Sequence, residues 1–65
     1  MEVNVMYNWR IELFLLGGDY GLSLAEINDI IDVVTFECYN HTNLYNIQQG
    51  LVLMSEIFER KVQNE

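Results

Sequence analysis

Proline is absent, cysteine occurs once, and Lys and Arg together number three in 65 residues. Each shortage excludes something. A single Cys38 forbids an intrachain disulfide, and one His with one Cys falls short of the four ligands of a structural zinc site. No apolar run is longer than that from Leu13 to Leu16, which is far below the roughly 20 residues of a spanning helix. The N-terminal stretch has neither the basic start nor the apolar core of a signal peptide, so a cytoplasmic, non-membrane protein is expected. Asn40-His41-Thr42 matches a glycosylation acceptor, but without a secretion signal the match is incidental. What is present is apolar: 51% of the residues are hydrophobic, too many for a disordered tail. A chain this short buries only about 60% of its unfolded surface, and lacking disulfide or metal it looks to an oligomer or a partner for support.

Charge is placed as unevenly as it is counted. The net charge is -7, and the basic residues are Arg10, Arg60 and Lys61. From Ile11 to Glu59 there is no Lys or Arg, while Glu12, Asp19, Glu26, Asp29, Asp32, Glu37, Glu56 and Glu59 all fall there. A phosphate backbone is bound by cations that displace its counterions, so direct nucleic-acid binding is not expected, nor is docking on an anionic membrane. Acids on this scale either keep an apolar protein soluble or steer it toward a basic partner.

Gly17-Gly18-Asp19-Tyr20-Gly21 and Asn40-His41-Thr42-Asn43 punctuate the chain and divide it into three helical segments, near 4–16, 24–39 and 43–62. The Gly17-Gly18 pair reads as the end of the first helix. Ser23-Leu24-Ala25-Glu26 is a capping box that opens the second. Ile27, Ile31, Val34 and Cys38 make its apolar stripe, with Leu24 and Ile30 beside them. Leu44, Ile47, Leu51, Met54, Phe58 and Val62 keep a three-four rhythm along the third, and Met6, Trp9, Leu13 and Leu16 do so along the first. Val3, Val5 and Tyr7 alternate with polar residues, which leaves a strand as the competing reading of the first segment.

Helices one and three each carry a second stripe. Tyr7, Ile11 and Phe14 lie well away from the Met6 line, and Gly50, Leu53 and Ile57 follow Asn46 in a seam about 100° from the Leu44 line. One stripe per helix suffices for a monomer, so the surplus predicts a homodimer through helices one and three, with Tyr7, Ile11, Phe14, Gly50, Leu53 and Ile57 at the interface.

Chemistry-bearing groups are sparse. Cys38 and His41 have the residue types of a nucleophilic dyad, but Cys38 falls on the apolar stripe and His41 in a turn. Carboxylate pairs such as Asp29 with Asp32, or Glu56 with Glu59, need an apolar cleft to separate their pKa values. The Gly17-Gly18 loop lacks a phosphate-binding lysine pattern. An enzyme is not expected, nor a cofactor or metal. Attention falls instead on the second helix, whose solvent side should present Glu26, Asp29, Asp32 and Glu37 around Val33 and Phe36. Acids around an exposed ring suit a protein contact, and acids three residues apart rise about 4.5 Å, near a phosphate repeat. Alternatively, Val33 and Phe36 cover another helix and the acids are solvated.

Gly21-Leu22-Ser23-Leu24-Ala25-Glu26-Ile27 resembles the Gly-hydrophobic-Ser-Leu-x-Glu-Ile segment that opens a helix in MerR-type regulators. That resemblance implies a helix start and its core positions; the chain has no basic recognition helix and no wing pattern to extend it to DNA binding. In size and charge the chain is also similar to the small acidic inhibitors that phages and mobile elements deploy against nucleic-acid enzymes. The expectation is therefore an all-α, three-helix bundle that binds another protein with a basic surface, inhibiting or regulating a nucleic-acid-handling protein as a nucleic-acid mimic would. The alternative is an assembly accessory subunit held by apolar helix–helix contacts.

Overall fold

The computed structural model describes residues 8–38 and 40–64 of the chain. Three helices fill that length: α1 (Trp9–Asp19), α2 (Leu24–Glu37) and α3 (Asn43–Gln63). Each touches the other two. Arg10 Nη2 donates to Thr35 Oγ1 at 3.4 Å, and Lys61 Nζ lies 2.8 Å from Glu26 Oε1, so α2 runs opposite to both neighbours. Tyr20 at the end of α1 meets Phe58 on α3 with ring centroids 5.7 Å apart, which makes α1 and α3 parallel in this up-down-up bundle.

The first helix starts later and ends later than its periodicity suggested. Asn8 is extended, and its side-chain oxygen accepts from the N–H groups of Arg10 at 2.9 Å and Ile11 at 3.2 Å, so helix begins at Trp9 rather than at residue 4. Residues 1–7, and with them Met6, Tyr7 and the competing strand, lie outside the described residues. Gly17 and Gly18 do not end the helix. Its stop is Gly21, at φ 78°, where the Gly21 N–H donates to the Gly18 carbonyl and the Leu22 N–H to the Gly17 carbonyl, each at 3.0 Å. Gly17 serves packing instead: a Cβ there would sit 2.5 Å from Ile27 Cγ1, so its bareness lets α2 close on α1. The guanidinium of Arg10 lies 4.4 Å over the Trp9 ring.

The capping box on α2 is formed on both sides. Ser23 N–H donates to Glu26 Oε1 at 2.8 Å, and Glu26 N–H to Ser23 Oγ at 3.2 Å. The helix closes at Glu37, short of 39, with Cys38 as its cap and Asn40 at φ 75° beyond it. Thr42 Oγ1 then caps α3 by accepting from the Tyr45 N–H at 3.1 Å.

Leu13 and Met54 at 0% exposure, with Val34, Ile27 and Ile30, form the centre of the core; Trp9, Leu22 and Cys38 close it. On α3 the sequence stripes are displaced. Asn46, Gly50 and Met54, spaced by four, are the buried line. Leu53 and Ile57 flank it, half-buried, on one side, with Ile47 and Leu51 on the other, while Leu44, Phe58 and Val62 are exposed. The two apparent seams are the margins of one broad face, because a helix wedged between two neighbours must bury a wider arc than one facing a single partner. Gly50 belongs to that face: a Cβ on it would strike both δ carbons of Leu13. The close approach it permits is between α1 and α3 of the same chain.

Candidate functional site

α2 carries no Lys or Arg, and its four acids are Glu26, Asp29, Asp32 and Glu37. With Ile27, Ile30 and Val34 buried, the helix period turns Asp29, Asp32 and Phe36 directly outward. Phe36 is 86% exposed, the most exposed large hydrophobic side chain described. Val33 at 43% and Glu37 face the flank toward α3. Glu26 stands apart from this group in state. Its carboxylate binds the Lys61 ammonium and the Ser23 N–H, which hold its pKa below the ordinary glutamate value. Its charge is thereby engaged within the fold at the far end of α2.

Among the described residues, those expected at a dimer seam do not share a surface. Ile11 and Phe14 are exposed on the outer side of α1 with Leu15, Gly50 is buried against Leu13, and Tyr7 lies outside the described residues. Leu53 and Ile57 face α2. There they meet Val33, which the sequence had assigned to a different surface, in a groove between α2 and α3. The groove has two depressions. One, of about 120 Å³, is floored by Ile30, Val33, Leu53 and Ile57 with Asp29, Glu56 and Arg60 at its edge. The other, of about 90 Å³, is bounded by Val33, Val34, Val52 and Leu53, with Glu37 and Gln49 at its rim.

Sequence reasoning missed Ile30, Val52, Glu56 and Arg60 as parts of this surface. Val52 was the available signal, an exposed apolar residue with Gln48, Gln49, Ser55 and Glu56 as its helix-face neighbours. Cys38 and His41 are separated by burial: the thiol lies in the core, while His41 is exposed and stacks on Tyr45 at 4.2 Å. Among the described residues no three His, Cys, Asp or Glu side chains cluster to hold a metal, and no helix is long and apolar enough to cross a membrane.

Fold and surface together define a three-helix bundle with an acidic, aromatic-bearing second helix and an open groove beside it. Comparison of the chain with family models, curated proteins and solved structures gives no match.

Proposed function

We propose that this protein is a stoichiometric binding module, acting in the cytoplasm, whose acidic α2 face occludes a basic surface on a nucleic-acid-handling protein. The observation that carries the reading is Phe36, 86% exposed beside Asp29, Asp32 and Glu37 on a helix without a single cation. An exposed ring is a natural anchor and the carboxylates a steering rim; nucleic acid and this face would then compete for one basic groove. No chemical step is involved.

A second reading has its own observation. Ile11, Phe14 and Leu15 leave the outer side of α1 apolar, as an accessory subunit held in a larger helical assembly would require. A homodimer, if formed, would join chains through this side of α1, with no role for the buried Gly50.

One assay separates the two. A fluorescent DNA duplex or RNA hairpin, bound to each of a panel of purified DNA- and RNA-binding proteins, is titrated with the chain. Displacement from at least one panel protein, weakened tenfold or more by the Asp29→Lys/Asp32→Lys pair and unaffected by Ile11→Asp/Phe14→Asp, is the expected result. Displacement that survives charge reversal removes the acidic-face reading, and loss confined to the α1 pair favours the accessory reading.

A further inference from the structure

We infer that the α2–α3 groove receives two aliphatic side chains, one helical turn apart, from a basic amphipathic helix of the partner; this rests on the binding-module reading and names what the partner presents. The two depressions share Val33 and Leu53, which form a saddle between them. Their linings are offset by four to five residues along each helix, about 7 Å at 1.5 Å per residue. Side chains at i and i+4 of a docked helix advance about 6 Å, which matches that offset. At about 120 and 90 Å³, each depression accommodates one aliphatic side chain rather than an aromatic ring system or a cofactor.

Charge decides what surrounds those two anchors. Asp29 and Glu37 stand on the α2 rim, two turns apart, and Glu56 stands opposite on α3; Arg60 at one mouth is the sole cation among the lining residues. A helix lying in this groove places residues beside its anchors against three carboxylates, so it carries Lys or Arg there. Charge also disfavours a second copy of the chain as occupant: its Lys and Arg residues are Arg10, Arg60 and Lys61 alone, Arg10 binds Thr35 and Lys61 is paired with Glu26, so no helix of this chain sets a row of cations beside two aliphatic anchors.

The test is a methyl and amide NMR titration of the full chain with three synthetic peptides: a Lys/Leu helix with Leu paired at i and i+4, an oligolysine of equal charge, and a Glu/Leu helix of the same apolar pattern. The expected result is saturable shifts at Val33, Leu53 and Ile57 with the Lys/Leu helix alone, and at least a tenfold weaker affinity in Val33→Gln. Val33 is 43% and Val52 53% exposed, so Val52→Gln serves as a second variant should the first melt early. Oligolysine binding as tightly, at Asp29, Asp32 and Glu37 only, overturns the groove inference and leaves the acidic face standing. Shifts centred on Ile11, Phe14 and Leu15, or concentration-dependent groove shifts without peptide, overturn it in favour of α1 or of a second copy. Absence of binding by either basic peptide overturns the inference and the acidic-face reading together.

Discussion

Replacing Gly50 by Ala and Gly18 by Ala introduces the same methyl group into two helix interiors, and the structure demands opposite outcomes. On helix propensity alone each substitution gains about 1 kcal/mol. At Gly18 nothing lies within 4 Å of the new Cβ, so that gain stands and the melting temperature rises by roughly 4–8 °C. At Gly50 the methyl collides with both δ carbons of Leu13 and comes within 3.0 Å of its Cγ. Leu13 is fully buried and has nowhere to swing, which places the overpacking cost near the upper end of about 1–3 kcal/mol. Subtracting the propensity gain leaves a net loss of about 2 kcal/mol, or a fall of about 8–16 °C for a domain of this size. Thermal melts followed by circular dichroism at two protein concentrations, tenfold apart, provide the assay. A Gly50→Ala melt that rises like that of Gly18→Ala refutes the α1–α3 crossing described here. A loss that vanishes at the higher concentration moves Gly50 to a contact between chains.

Acidification offers a second prediction. Because the Lys61 ammonium and then the Ser23 N–H lower the Glu26 pKa, the folded state holds that proton less readily than the unfolded one; the contribution is complete above the ordinary value near 4.5 and is lost as pH falls through the lowered folded value. Glu26→Gln should flatten the acid limb of a melting-temperature profile over that range, and added salt should shrink the difference because the pair is partly exposed. A third concerns Asn46, which is 3% exposed and whose Oδ1 accepts no hydrogen bond. Asn46→Leu relieves that unsatisfied acceptor and should stabilise the fold by about 1 kcal/mol in urea titrations; destabilisation would mean that the amide is held by a partner group.

Much of the fold was written in local chemistry. The Ser23/Glu26 box marks the start of α2 because both halves of the motif are adjacent in sequence and need no tertiary information. The helix expected near 4–16 ran through Asn8, although the Asn8 side chain caps the helix; Asn is suited to both positions, and only the chain's direction at that point decides between them. Gly17 misled for a related reason. A glycine pair after an apolar stretch has the composition of a helix end, yet the stop lies at Gly21, where positive φ is required, and Gly17 is bare because Ile27 fills the space. On the candidate surface, Asp29, Asp32 and Phe36 were placed correctly outward because a burial pattern on one helix fixes its opposite face. The groove was not legible, since its shared lining residues, Val33 and Leu53, lie on two helices and 20 positions apart in the chain, and no single periodicity contains them.

The displaced stripes of α3 carry the wider lesson for small bundles. Counting seams treats each apolar line as one contact, and two lines on one helix then argue for a second chain. In a three-helix bundle every helix has two neighbours, so a face broad enough to meet both shows two lines with the deepest residues between them. Asn46, Gly50 and Met54 occupy that middle, and two of the three are not hydrophobic in the usual sense: one is an amide and one has no side chain. Apolar periodicity is blind to such positions, and that is why Asn46 and Gly50 were read into a seam with Leu53 and Ile57 rather than into one buried line with Met54. Once Leu53 and Ile57 are assigned to the α2 side of that face, they line the α2–α3 groove with Ile30 and Val33, apart from the exposed apolar residues on the outer side of α1. That groove is rimmed by Asp29, Glu37 and Glu56, so there the chain's negative charge constrains what can dock beside the apolar floor.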